Sequence, residues 1–181
     1  MSKKSTQSRI FSFFIMALVL VTIGVPPRHA NTAYAANPSV PPVQLVAVYK
    51  SRNIMQLLAG NKVVRSYRVA LGRNPLGPKQ KAGDCRTPEG TYIIDRHKKE
   101  SGYYKSLHFS YPNSRDLDAA KNSGYAPGGN LMIHGLPKGY EDLAEIHYRK
   151  NWTKGCIAVN NDQMDEIWRL VPDGTPIIIK P

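Results

Sequence analysis

The sequence predicts a mainly β domain, a sandwich or barrel with a few short helices. Two observations predict it. From residue 44 onward the chain is a series of short apolar runs separated by Gly, Pro and Asn, eight runs in all, which is the pattern of strands and turns. Against these, one segment carries a clear helical period. Residues 44–49, 54–58 and 62–71 read as the first three strands, with Gly60-Asn61 supplying the tight turn between the second and third. Residues 91–95, 106–109, 131–133, 156–159 and 176–180 add five more. The periodic segment is 162–170, where Met164, Ile167, Trp168 and Val171 recur on one face. Asn160 or Asn161 caps it and Pro172-Asp173-Gly174 stops it. Residues 140–150 begin acidic and end basic, as a helix dipole favours, but the apolar face is thin, so this is expected to be a surface helix or lid. A short helix is also expected near 116–122.

Composition narrows the class. Of 181 residues, 41% are hydrophobic and 21% charged, which excludes a disordered chain. Two cysteines are too few for a disulfide-stapled miniprotein, so one ordinary apolar core must hold the fold. The 25 Lys and Arg outweigh 13 Asp and Glu, a formal +12.

The first residues read as an address. Lys3, Lys4 and Arg9 precede a charge-free run over 10–25, then Pro26-Pro27, then Ala33-Tyr34-Ala35. Residues 1–35 are therefore expected to be a signal peptide cleaved after Ala35, with 36–43 a Pro-rich linker and 44–181 the working domain. An uncleaved anchor is the alternative, and the only expected route to a membrane. The sixteen residues of the apolar run fall short of the ~20 needed to span a bilayer, which favours removal. Removal takes four basic residues and no acidic one, leaving 21 against 13, or +8. An exported, positive protein is drawn to anionic polymers. Nucleic acid is not the expected partner, because the basic residues are scattered and no zinc-finger or RNP-type motif is present.

The chemistry lies in the last third. Met132-Ile133-His134-Gly135 ends a buried-looking strand on a histidine, and Gly135 lets the backbone turn. Trp152-Thr153-Lys154-Gly155-Cys156 then puts a thiol after a glycine at the threshold of another strand. Backbone N–H groups beside such a thiol can hold an oxyanion, as acyl transfer requires. An imidazole in reach activates the thiol, which is mostly protonated near neutrality.

These residues resemble a known family. His134-Gly135, then after a spacer Thr153-x-Gly155-Cys156, is similar to the signature of the L,D-transpeptidase catalytic domain, the YkuD family. The stretches Gly83-Asp84-Cys85-Arg86-Thr87-Pro88-Glu89-Gly90-Thr91-Tyr92 and His108-Phe109-Ser110-Tyr111-Pro112-Asn113 resemble it as well. The resemblance implies a YkuD-like β-sandwich, an exported or periplasmic enzyme, peptidoglycan stem peptides as substrate and no cofactor. It implies Cys156 as nucleophile, His134 as general base, the Gly135 carbonyl orienting the imidazole, and the N–H groups of Gly155 and Cys156 holding the oxyanion. A thioester forms on the third stem residue, D-alanine leaves, and an acceptor resolves the thioester. That acceptor is another stem, a lipoprotein lysine, a D-amino acid or water, the last making the enzyme a hydrolase.

The sequence also departs from the family pattern. The spacer is long, Lys154 stands where His or Asn is usual, and Ala158 stands where most members carry an Arg that holds a substrate carboxylate. Arg86, Arg149, Lys150 and Lys154 are the cations expected to take over, with Lys154 and the Arg149-Lys150 pair also favouring the thiolate. Thr153 is a candidate substrate contact, and His108 either lines the pocket or faces solvent. Three rival readings use the same atoms. A Cys85-Cys156 disulfide would remove the nucleophile. A zinc site could draw on His134, His147 and Cys156, although His147 reads as a surface residue and no metal motif is present. The third is a wall-binding protein without turnover.

Overall fold

The computed structural model describes residues 41–181 with the exception of 101. The expected signal and most of the expected linker lie outside the described residues. Val43, assigned to the linker from the sequence, is buried in the core.

Eight strands form one sheet: β1 (Leu45–Tyr49), β2 (Ile54–Ala59), β3 (Lys62–Arg68), β4 (Gly90–Glu100), β5 (Tyr104–Phe109), β6 (Met132–His134), β7 (Ile157–Ala158) and β8 (Pro176–Lys180). Their spatial order is β3-β2-β1-β8-β4-β5-β6-β7. β1 and β8 are parallel, as are β6 and β7, and the other neighbours are antiparallel. β4 serves both halves. Its start pairs with β8, its remainder with β5, and the register with β5 shifts between Ile94 and Arg96. The chain after β3 returns to the far edge, where Ala70 and Ala158 exchange backbone hydrogen bonds of 3.0 and 2.8 Å. The two ends of the strand order therefore meet, and the sheet closes over a single interior containing Val46, Leu57, Ile94, Leu107, Ile133 and Ile177.

The expected sandwich with few helices is what forms, with local differences. The third strand stops at Arg68, yet Val69, Ala70 and Leu71 are fully buried because they run against the strand edge at β7. α1 (Ser114–Ser123) and α2 (Asn161–Leu170) both begin with a capping box, from Asn113 with Asp116 and from Asn160 with Gln163. α2 buries the expected stripe of Met164, Ile167 and Trp168, and it packs on β5. Residues 140–150 are not an α-helix. They form two 3-10 turns, Glu141–Leu143 and His147–Arg149, with Leu143 and Ile146 left exposed. A segment with so little apolar surface to bury cannot offset the cost of nucleating a helix.

One loop that frames the site is fastened by a buried charge. Lys50, 4% exposed, donates from Nζ to Gly77 O (2.6 Å), Thr87 O (2.9 Å) and Glu89 Oε1 (2.7 Å). All three of its protons are paired, which is the condition for a buried ammonium to be tolerated.

Candidate active site

His134 is the last residue of β6 and is 1% exposed. Its Nδ1–H donates to Gly135 O at 2.7 Å, which fixes the tautomer and leaves Nε2 as the free acceptor. The turn needs glycine at 135, since a Cβ there would come within 2.7 Å of both Asn161 Oδ1 and Tyr104 O. Tyr103 stacks on the imidazole with ring centres 4.0 Å apart, and Trp152 meets it edge-on at 5.7 Å.

The parallel register of β6 and β7 pairs Ile133 with Ile157 and His134 with Ala158. Ile133 and Ile157 fill the core, so the alternation turns His134, Ala158 and, one step before the strand, Cys156 to the opposite face. Two residues of offset across one strand spacing separate the Cα atoms of His134 and Cys156 by about 8 Å. An imidazole and a thiol can close that span between them. In the resting structure no hydrogen bond joins the two side chains.

The approach to the thiol is shaped by Thr153. Its hydroxyl donates to Cys156 O (2.8 Å) and accepts from Gly155 N–H (3.0 Å), so one side chain locks the whole turn. Gly155, at φ +127°, faces the backbone of Arg86, whose oxygen would lie 2.6 Å from any Cβ at that position. Among the described residues nothing accepts from the Cys156 N–H. Beside the turn opens a groove of about 410 Å3, lined by Arg73, Lys79, Cys85, Leu131 and Lys154 and by no carboxylate.

Burial disfavours the charged form of both side chains. Burial pushes the His134 imidazole down to about 4, with a smaller push from His147, while the Gly135 carbonyl acts the other way. Burial pushes the Cys156 thiol above its ordinary value, against the Met132 N–H and the Lys79 ammonium. Lys79 is itself positioned, donating to Asp84 Oδ1 (2.7 Å) and Lys81 O (3.0 Å). Burial alone would raise the Asp84 carboxyl, but Lys79 and the N–H groups of Gln80, Lys81 and Arg86 hold it down at about 2.

With this geometry in view, comparison with known proteins identifies the chain. A family model described as YkuD, the L,D-transpeptidase catalytic domain, matches residues 43–179. The chain belongs to the L,D-transpeptidase family. A relative in Escherichia coli K12 named for the same family, YafK, is 36% identical over 112 residues, 61% of this chain and 38% of the relative. YqjB of Bacillus subtilis is 28% identical over 135 residues, 74% of this chain and 69% of the relative. Among solved structures, the helical cell shape determining protein Pgp2 of Campylobacter jejuni superposes with a TM-score of 0.59 at 25% identity, covering 78% of this chain and 49% of that one. The chain thus spans less than two fifths of the E. coli relative and about half of the Campylobacter structure.

Several residues named from the sequence sit otherwise than expected in this L,D-transpeptidase domain. The Gly155 N–H, expected to help hold an oxyanion, donates to the Thr153 hydroxyl. The Thr153 hydroxyl is spent on the backbone rather than offered to substrate. Arg86 contributes its backbone against Gly155, while its guanidinium turns to Pro78 O at 3.4 Å. Arg149 and Lys150 are exposed and do not border the groove, whereas Lys154 does. His108 shares the face of His134 but is held by Asp95 Oδ1 at 2.6 Å and does not line the groove. Cys85 and Cys156 are both free, so the alternative disulfide is not formed. His147, read as a surface residue, is buried, and among the described residues no three His, Cys, Asp or Glu are grouped to hold a metal ion. Also among the described residues, no helix is long and apolar enough to cross a membrane.

Sequence reading missed Arg73, Lys79 and Tyr103, and gave no role to Trp152. Lys79 lies far from His134 and Cys156 in the chain, and no local pattern marks it. Trp152 stood one residue before the thiol motif, which was the available signal.

Proposed function

We propose that this domain is an exported cysteine acyltransferase acting on peptidoglycan stem peptides. The observation that carries the reading is the β6/β7 register, which turns Cys156 and His134 to one face while the Gly135 carbonyl holds Nδ1 and frees Nε2. Cys156 Sγ attacks the carbonyl carbon of the third stem residue as its proton passes to His134 Nε2. The carbonyl oxygen becomes an oxyanion facing the Cys156 N–H. Collapse breaks the amide bond, the proton on Nε2 goes to the departing D-alanine nitrogen, and a thioester remains. An acceptor amine gives its proton to Nε2, forms the new amide and restores the thiol.

Burial disfavours both the imidazolium and the thiolate, which favours passing the proton during attack over a preformed ion pair. The substrate carboxylate that most family members hold with an Arg is met here by Arg73, Lys79 and Lys154 in the groove, since Ala158 has no charge to offer. The likeness to a cell shape determining protein supports an action on wall architecture that alters cell form.

The test is mass spectrometry of purified muropeptides incubated with wild type and with Cys156→Ala. A product of the wild type that the variant does not make supports thiol acyl transfer. A cross-linked or amine-exchanged product identifies a transferase, and a shortened stem identifies water as the acceptor. Product made equally by both proteins overturns the proposal, and sacculus binding without any product leaves a wall-binding protein.

A further inference from the structure

A second and larger cleft lies on the other side of the segment that carries Lys79. Its volume is about 970 Å3, against about 410 Å3 for the groove that Lys154 borders, and Lys79 borders both. Its walls are the chain from Pro78 to Lys81, the start of β4, α1 and the end of β8. Nothing in the reaction described above uses it.

The charges in this cleft are not balanced. Of its two acids one is neutralised inside the protein. The other, Asp116, is hydrogen-bonded by neutral donors and keeps its charge, so one carboxylate stands against the cations of the cleft. Glu89 is paired with Lys50 at 2.7 Å, while Asp116 accepts from the Asn113 N–H at 3.0 Å and from the Tyr92 hydroxyl at 3.3 Å. Its cations are not so committed. Lys81 lies over the Tyr125 ring at 4.7 Å and Lys180 over the Tyr49 ring at 5.8 Å. Neither of them, nor Arg115, has a carboxylate partner among the described residues. An aromatic ring attracts a lysine without neutralising its charge. Three cations against one carboxylate around a concave surface of this size suit an extended chain bearing several carboxylates, not one small ion.

We infer that this cleft docks a second, non-reacting stem peptide of the wall polymer through its free carboxylates. The inference rests on the proposed action on peptidoglycan. The strip of chain from Lys79 to Ala82 lies between the two linings, so a peptide in the large cleft is held apart from the smaller groove. Asp84 keeps that strip rigid by accepting from Lys79 Nζ and from the Gln80 and Lys81 N–H groups. Docking of this kind would favour wall polymer, in which stems are neighbours, over isolated muropeptides.

The experiment compares sacculus binding by three full-length proteins: wild type, the triple variant Lys81→Gln/Arg115→Gln/Lys180→Gln, and a control, Lys62→Gln/Lys98→Gln/Lys99→Gln, that removes the same charge from exposed positions elsewhere. The probe is purified peptidoglycan sacculi at fixed ionic strength. Exposed ion pairs are individually weak, and three lost together should lower the cleft variant's affinity by about tenfold. The control should stay within about twofold of wild type, since it loses only long-range attraction. Amidating the free carboxylates of the sacculi should erase the difference between wild type and the cleft variant. On soluble disaccharide-tetrapeptide, turnover by the cleft variant should match wild type. Equal loss in both triple variants, no loss in either, or a difference that survives amidation overturns the inference. Loss of all turnover of the soluble muropeptide by the wild type would instead strike the proposed reaction, which the binding comparison does not depend on.

Discussion

Tyr103 covers one face of the His134 imidazole at a ring separation of 4.0 Å, and replacing it with Ala should make that imidazole more basic. Burial lowers His134 from an ordinary 6.5 to about 4, a difference of about 3 kcal/mol between its two protonation states. Tyr103 shields one of two ring faces, so its removal should restore somewhat under half of this, moving the group up to about 5. At pH 4.5 the wild-type imidazole is then about three quarters neutral and that of Tyr103→Ala about one quarter, a threefold loss of the working base. The assay is the acid limb of the pH profile for muropeptide turnover, with the His134 ring followed by NMR. Stability supplies an independent readout. His134 is less basic folded than unfolded, so between pH 6.5 and 4 the unfolded chain binds the extra proton. The stability gained by keeping it neutral is fully present above 6.5 and is lost as the pH falls toward 4. The variant should show a smaller loss over that window. A wild-type acid limb near 6.5, or a limb that does not move in Tyr103→Ala, would refute the claim that burial under this ring sets the basicity.

Thr153→Val should leave the buried Gly155 N–H and the Cys156 carbonyl without their shared partner. At about 1–3 kcal/mol per orphaned group, chemical denaturation should show a loss of several kcal/mol, and Thr153→Ser should recover most of it. Among the described residues, Ser106 Oγ and both ring nitrogens of His147 are buried without a hydrogen-bond partner, so Ser106→Ala and His147→Phe should raise the melting temperature or leave it unchanged. His147→Phe should also move the acid limb of turnover slightly to higher pH, because His147 lowers the basicity of His134.

Much of this was legible in the sequence because it is local. Each strand announces itself by apolar runs and turn residues, α2 by a stripe at helical spacing, and His134 and Cys156 by standing beside glycines at strand ends. What was not legible depends on distant segments meeting. The closure of Ala70 on Ala158 is invisible to any window of sequence. So is the stacking of Tyr103 on His134, which covers one face of the imidazole. Charge was misread for the same reason. Arg149 and Lys150 are near the thiol in sequence but do not border the groove, whereas Lys79, distant in sequence, does. Residues 140–150 had a helix's charge order without enough apolar surface to hold one, and His147 was buried there by tertiary contacts that no periodicity encodes.

The departures from the family pattern find a common physical account in the loop over residues 73–89. Ala158 is fully buried and has no charge to offer. The cations of the groove come instead from Arg73 and Lys79, on a loop that Lys50 and Asp84 hold in place and whose Arg86 carbonyl abuts Gly155. The same loop therefore shapes the turn before the nucleophile and supplies the positive charge beside it. Loosening the loop should disturb thiol geometry and carboxylate binding together, whereas Lys154, exposed and outside this network, should affect binding alone.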